Sequence, residues 1–240
     1  MTGRVGLLGW PVEHSVSAAM HNAAFAALGL DWRYDLLPVR PGALAERVAA
    51  LLAAGYRGFN VTVPHKRAAL RLPQVAEIDG AAQVIGAANT LAVQPDGRLR
   101  AANTDWRGFA DDLRALGVTV EGRRCLVLGT GGAARAVRFA LAQMGAASVT
   151  LVSREPGGRA GVVGYEELAH CLTPFRPADT FPLSGGRIDT PPLPATGGRD
   201  RDEGAPRSGS GGGGLIVNCT PVGMWPEVDA SPWPEGAPLP

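Results

Sequence analysis

Apolar and polar positions recur along this chain with two different periods, and each change of period marks an element. The run VGLLG at residues 5 to 9 reads as a strand, and the alanine-rich pattern from Ser17 to Leu28 as a helix closed by Gly29. WRYDLLPV (32 to 39) predicts a second strand, Ala43 to Ala54 a helix ended by Gly55, and GFNVTV (58 to 63) a third strand. That βαβαβ order implies a parallel sheet covered by helices. NTLAV (89 to 93) and RLRAAN (98 to 103) flank Gln94-Pro95-Asp96-Gly97, a turn sequence that predicts a hairpin of antiparallel edge strands. From Asp105 to Leu116 the pattern is helical, with an acid at its start and Gly117 past its end, and suits a connector between domains.

A second βαβ unit begins at RRCLVLG (123 to 129), continues through a helix from Gly131 to Met144 and reaches SVTLVSR (148 to 154). From about Pro182 to Gly214 the composition is dominated by Pro, Gly, Ser and charge, which cannot support a packed core and predicts an exposed insertion. GLIVNCTPVGM (214 to 224) returns to a buried strand and a loop. The expected fold class is α/β and two-lobed. Residues 1–104 form one α/β lobe, and residues 105–240 form a Rossmann-like lobe that is incomplete and interrupted around 182–214.

Composition narrows the function classes. At 240 residues the chain suits two domains of ordinary size, and a net charge of +1 provides no field to attract nucleic acid or an anionic membrane. The apolar run near the N-terminus is too short for a signal peptide core or a membrane span. Cys125, Cys171 and Cys219 are odd in number and far apart, so they read as small buried hydrophobes in a reducing compartment, and a cytoplasmic location is expected. No CxxC or HxxxH spacing suggests a metal, and His14, His21 and His65 read as structural or peripheral.

The second βαβ unit carries candidate chemistry in CLVLGTGGAARAV, where Gly129, Gly131 and Ala134 stand at the spacing GxGxxA between a strand and a helix. The first glycine allows a tight turn, the second lets backbone amides approach a pyrophosphate, and the small Ala134 lets helix and strand pack closely. The helix N-terminus favours the negative charge. The turn as a whole, Gly129, Thr130, Gly131, Gly132 and Ala133, is therefore a dinucleotide-binding candidate. At the end of the next strand, where an acid would meet the ribose of NAD, stand Ser153 and Arg154, and a guanidinium suits the 2′-phosphate of NADP. Glu155 keeps the NAD alternative open.

In the first half, four polar clusters lie where the predicted strands end: HSVS (14 to 17), NVTVPHK (60 to 66), AANT (87 to 90) and ANTDWRG (102 to 108). Ligands bind beyond the carboxyl ends of strands in open α/β sheets. The hydroxyls and amides of Ser15, Ser17, Asn60, Thr62, Asn89 and Thr104 suit a small polyhydroxylated ligand bearing a carboxylate. Helix capping by Ser15, Ser17 or Asp105, and a turn held by Asn89, would explain the same residues without a ligand. Lys66 is the single lysine among 23 basic residues. Unlike arginine, an ammonium can lend a proton.

Together, the segments GWPVEHSVSAAMHNAAF, GFNVTVPHK, GAANT, NTDWRGF, GTGGAARA and NCTPVGM resemble, in order, the shikimate dehydrogenase family. The resemblance implies NADPH-dependent reduction of 3-dehydroshikimate to shikimate, and the reverse, on the route to chorismate and the aromatic amino acids. It places carboxylate-binding serines at Ser15 and Ser17, hydroxyl ligands at Thr62, Asn89 and Asn60, and the catalytic pair at Lys66 and Asp105. Its second cofactor loop falls on Asn218, Thr220 and Met224. It also implies a substrate lobe and a nucleotide lobe with a cleft between them. A monomer or homodimer acting on a small molecule, without nucleic acid or membrane, is expected.

The chain departs from the family pattern at three places. Ala18 stands for a proline, Ser153-Arg154-Glu155 stands for Asn-Arg-Thr, and the family's C-terminal part, with its helices that return to the first lobe, has no counterpart. The last difference predicts exposed apolar surface and weak activity or stability. A relative that binds cofactor or shikimate without useful turnover, and a quinate-preferring or NAD-using enzyme, are the alternatives.

Overall fold

The computed structural model of the chain describes residues 3–168, 180–182, 214–222 and 229–232. The first elements are β1 (Gly3–Gly9), α1 (Ser17–Ala27), β2 (Trp32–Pro38), α2 (Leu44–Ala53) and β3 (Tyr56–Val61). After a 3-10 turn at Ala68–Arg71 come β4 (Val75–Ile78), α3 (Gly80–Ile85), β5 (Thr90–Val93), β6 (Leu99–Ala102) and α4 (Asp105–Ala115). The chain continues through β7 (Arg124–Leu128), α5 (Gly132–Gln143), β8 (Ser148–Val152), β9 (Val162–Val163), β10 (Thr180–Pro182) and β11 (Leu215–Asn218). Elements predicted from periodicity are present with ends shifted by no more than two residues. The low-complexity stretch 182–214 lies outside the described residues apart from its two ends, as does Cys171.

Two compact units emerge: Met1–Thr119 with Thr130–Met144, and Val120–Gly129 with Gly145–Pro240. In the first, six strands lie in the order β2-β1-β3-β5-β6-β4. β1 pairs parallel with β2 and β3, whereas β5 is antiparallel to β3 and β6. The predicted hairpin exists, but β6 is not an edge strand. β4 pairs parallel with it on the outer side. Neither β4 nor α3 was anticipated, because a four-residue strand and a six-residue helix are too short to establish a period.

Consecutive side chains of a strand point to opposite faces, so the adjacent Leu7 and Leu8 build two cores. On one face Leu8, Leu37, Phe59, Val61, Leu91 and Leu99 pack with Val48 and Leu51 of α2. α2 buries Leu44, Val48 and Leu51, one stripe of a 3.6-residue period. On the other face Leu7, Val5, Tyr34 and Leu36 meet Ala18 and Phe25 of α1. No residue of α1 is fully buried, and Met20 and Leu28 are exposed. An apolar groove of about 430 Å³, lined by Val5, Phe25, Trp32, Tyr34 and Ala92 among others, lies over this face. α3, α4 and α5 join through Ile85, Ala87 and Ala136, with Trp106 and Phe139 edge to face at 5.2 Å.

In the second unit the order is β10-β11-β7-β8-β9, every neighbouring pair parallel. Leu126, Leu128, Val152, Leu168 and Ile216 form its core. Their near-continuous apolar runs are what a strand covered on both faces requires.

Candidate active site

Topology gathers the polar clusters of the first unit at one sheet edge. β1, β3 and β6 run in one direction and end there, and β5, running the other way, starts there. Main-chain bonds then stitch the loops together: Ala88 N–H donates to Lys66 O (2.8 Å), Val61 N–H to Asn89 O (2.8 Å) and Asn89 N–H to Ala102 O (3.0 Å). On this frame Lys66 Nζ lies 2.8 Å from Asp105 Oδ2. Asn89 Nδ2 donates to Asp105 Oδ1 (2.6 Å) and to Thr104 Oγ1 (2.9 Å), while Asn89 Oδ1 accepts from Thr104 N–H (2.9 Å). Asp105 is the first helical residue of α4, where the positive end of the helix dipole favours a carboxylate. Thr104 occupies the N-cap position without capping through its side chain.

The stem of Lys66 runs along the start of α5. A Cβ added at Gly132 would stand 3.0 Å from both Cβ and Cδ of Lys66, so a larger residue there would press on the lysine stem. Gly131, the N-cap of α5, has extended backbone and no side-chain cap, and a Cβ there would meet open space. The first amides of α5 are thus available to an anion. Ala134 is fully buried, as the close-packing position of the motif demands.

Ser15 and Ser17 are bonded to each other, Ser15 Oγ donating to Ser17 Oγ at 2.9 Å and accepting from Ser17 N–H at 3.2 Å. Ser15 therefore does serve the start of α1, where the N-cap Val16 supplies no side-chain bond. Asn60 stands apart from the Lys66 network: its Oδ1 accepts from Tyr34 Oη at 2.8 Å. Burial pushes the Tyr34 phenol up to about 12, so it remains a neutral donor and orients the Asn60 amide. Thr62 is held by its amide on Leu8 O at 2.8 Å, and its methyl occupies the space beside Gly9. His65 is buried with Nε2 2.7 Å from Val39 O, and His21 stacks on Tyr34 at 4.3 Å. Tyr34 was missed by sequence reasoning, since a tyrosine inside a strand reads as core.

In the second unit Gly129 has φ +110°, and a Cβ there would lie 3.1 Å from Cys219 O. Both the backbone conformation and the approach of the 218–222 loop require glycine. Asn218 shapes that loop, its Oδ1 accepting from Thr220 N–H (2.9 Å) and Thr220 Oγ1 (2.8 Å) and its Nδ2 donating to Val222 O (3.2 Å). Met224 lies outside the described residues. After β8, Ser153 Oγ accepts from Glu155 N–H (3.2 Å), and Arg154 and Glu155 are exposed. A second guanidinium, Arg159, donates to Glu155 O (2.7 Å) and Pro156 O (3.0 Å) and reaches Ser153 Oγ at 3.5 Å. Sequence reading passed over Arg159. Its spacing from Arg154 gave no signal, and only the fold of the loop places it beside Ser153.

Residues 7–91 match the model for the shikimate dehydrogenase substrate binding domain. Over 233 residues the chain is 42% identical to the NADP(+) shikimate dehydrogenase of Moorella thermoacetica, covering 97% of this chain and 70% of that protein. The chain belongs to the shikimate dehydrogenase family. The corresponding enzyme of Rubrobacter xylanophilus is 41% identical, covering 98% of this chain and 72% of its own length. Among solved structures, shikimate 5-dehydrogenase from Thermus thermophilus, in complex with NADP(H) and shikimate, superposes with a TM-score of 0.67 at 33% identity, covering 97% of this chain and 73% of that one. Two-domain shikimate dehydrogenases thus share this α/β fold. The family's substrate-domain match spans Ser15, Ser17, Asn60, Thr62, Lys66 and Asn89, and Asp105 lies beyond it.

Proposed function

We propose that this chain is a shikimate dehydrogenase that interconverts 3-dehydroshikimate and shikimate with NADP, within the biosynthesis of chorismate and the aromatic amino acids. The observation that carries the reading is the ion pair of Lys66 with Asp105, laid against the glycine turn at Gly132. When bound, the reduced nicotinamide supplies a hydride to the substrate's ketone carbon. Lys66 then stabilises the negative charge that develops on the ketone oxygen and delivers a proton to it, and in the reverse direction it takes that proton up. Asp105 holds the ammonium in place through a charge-assisted hydrogen bond, and Asn89 fixes the carboxylate from its other oxygen.

Ser15 and Ser17 offer two hydroxyls to the substrate carboxylate, and Thr62, Asn60, Asn89 and Thr104 offer partners for its hydroxyls. Each unit by itself offers groups to the cofactor: in the first, the uncapped start of α5 with Gly131 and Gly132 suits a pyrophosphate, and in the second, Ser153 with Arg154 suits a 2′-phosphate. Gly129, Thr130 and Ala133 complete the turn, and the Asn218–Thr220 loop is assigned to the nicotinamide end. The substrate is a small molecule, and a monomer or a homodimer is proposed as the working form. Burial pushes the Cys125 thiol up to about 11, so it is an inert core group, and a cytoplasmic location is proposed for the protein. No helix among the described residues is long and apolar enough to cross a membrane.

The test is an absorbance assay of NADP reduction with shikimate, run beside quinate and NAD. Turnover with shikimate and NADP supports the assignment, and preference for quinate or NAD would replace it.

A further inference from the structure

We propose that Asn103 is a positioning residue that aims Asp105 at Lys66, an inference that rests on the reaction proposed above. Asn103 is 2% exposed and, with His65, is one of two buried polar side chains among the described residues. An amide is buried at low cost only when both of its ends are paired, and both are. Nδ2 donates to Ala87 O at 2.9 Å, and Oδ1 accepts from Asp105 N–H at 3.1 Å.

The two partners place this bond in the reaction network. Ala87 precedes Asn89 by two residues and Asn103 precedes Asp105 by two, and Asn89 Nδ2 and Asp105 Oδ1 meet at 2.6 Å. One buried amide therefore ties together the two loops whose tips carry the acid and its orienting amide. It also takes over a task that the N-cap leaves open, because Thr104 makes no side-chain cap bond and Asn103 instead holds the first amide of α4. The backbone of Asn103 is held in turn by Asp79, whose Oδ2 lies 3.4 Å from its N–H and whose Oδ1 caps α3 at Ala82 N–H. The backbone at the start of α4 is thereby fixed, and from it the carboxylate faces Lys66.

Two substitutions probe the amide: Asn103→Asp keeps an acceptor for the Asp105 amide but loses the donor to Ala87 O, and Asn103→Ser, with a hydroxyl on a shorter stem, loses both bonds. In the full chain, with shikimate and NADP, Asn103→Asp is expected to lower kcat at least about tenfold while leaving the Kd for NADP within about twofold. In an Asp105→Asn background the same change should cost less than about a further twofold, because it acts through the acid. Asn103→Ser, which gives up both bonds, should lower kcat at least as far in the unmodified chain and no further than Asn103→Asp in the Asp105→Asn background. Equal losses in both backgrounds would mean a merely structural role and overturn the proposal. If Asp105→Asn alone leaves turnover intact, the assignment of Asp105 fails first and this inference falls with it. Should both Asn103 variants misfold, amide hydrogen exchange on the unmodified chain decides: the Asp105 N–H must be protected, and exchange at the rate of an open first-turn amide would refute the bond.

Discussion

The only lysine of the chain meets Asp105 across 39 residues of sequence, Nζ to Oδ2 at 2.8 Å, with the lysine side chain 16% and the aspartate 30% exposed. That degree of shielding strengthens the charge-assisted bond over a surface pair and still leaves a path to a ligand. Asp105 is also held by Asn89 through its other oxygen, so two side chains restrain the carboxylate.

Lys66→Ala is expected to lower kcat by about 10²–10⁴-fold, the usual contribution of a positioned proton donor, with the Kd for NADP nearly unchanged. Lys66→Arg should fail to rescue, since a guanidinium does not give up its proton at neutral pH. Steady-state absorbance and a fluorescence titration of cofactor read the two quantities. Loss of cofactor binding with turnover retained would contradict the assignment.

Gly132→Val should lower kcat because the new side chain displaces the Lys66 stem, whose Cβ and Cδ lie 3.0 Å from the added Cβ. Gly129→Ala acts differently: at φ +110° it imposes backbone strain of about 1–3 kcal/mol and crowds Cys219 O. Thermal denaturation should show a lower Tm for Gly129→Ala and a much smaller change for Gly132→Val.

Arg154→Ala is expected to raise KM for NADP by about 10- to 100-fold, the worth of one or two hydrogen bonds between charged groups, and to leave KM for NAD unaltered. Equal effects on both cofactors would show that the arginine does not meet the 2′-phosphate.

The first unit should lose stability in acid through Asp35. Burial by itself would raise this carboxyl, but hydrogen bonds from Tyr56 (2.7 Å), Arg33 (2.8 Å) and Arg4 (3.0 Å) outweigh it and hold the group below the usual carboxylate range. A depressed folded value means that its contribution is complete above the unfolded value, about 3.9, and disappears as pH falls through the folded one. Asp35→Asn should therefore lower stability at pH 7 by about 1 kcal/mol, screened as Arg4 and Arg33 are, and flatten the decline below about pH 4. Urea titrations at pH 7 and pH 3 measure both effects, and an unchanged slope in acid would remove Asp35 as the cause.

Much of the fold was legible because its signals are local. α2 announces itself through Leu44, Val48 and Leu51 on one stripe, and β7 and β11 through unbroken apolar runs. β4 and α3 were illegible because they are too short to show a period, and the pairing of β4 moves β6 away from the sheet edge. The site divides in the same way. Glycine spacing and the lone lysine are visible in the letters, whereas Tyr34 and Asn103 look like ordinary strand and loop residues until their partners at Asn60, Ala87 and Asp105 are seen.

The amino-acid order by itself determined which segments become strands and helices, where the glycine turn falls, and that a single ammonium stands among guanidinium groups. Periodicity, turn chemistry and side-chain type act over a few residues, so they can be read without coordinates. Tertiary structure alone decided that the loops after β3, before β5 and after β6 meet at one edge, that Asp105 turns both oxygens to work, and that Gly132 clears a path for Lys66. Those relations depend on strand order and on angstrom-scale packing between residues far apart in the chain, and no local pattern encodes either.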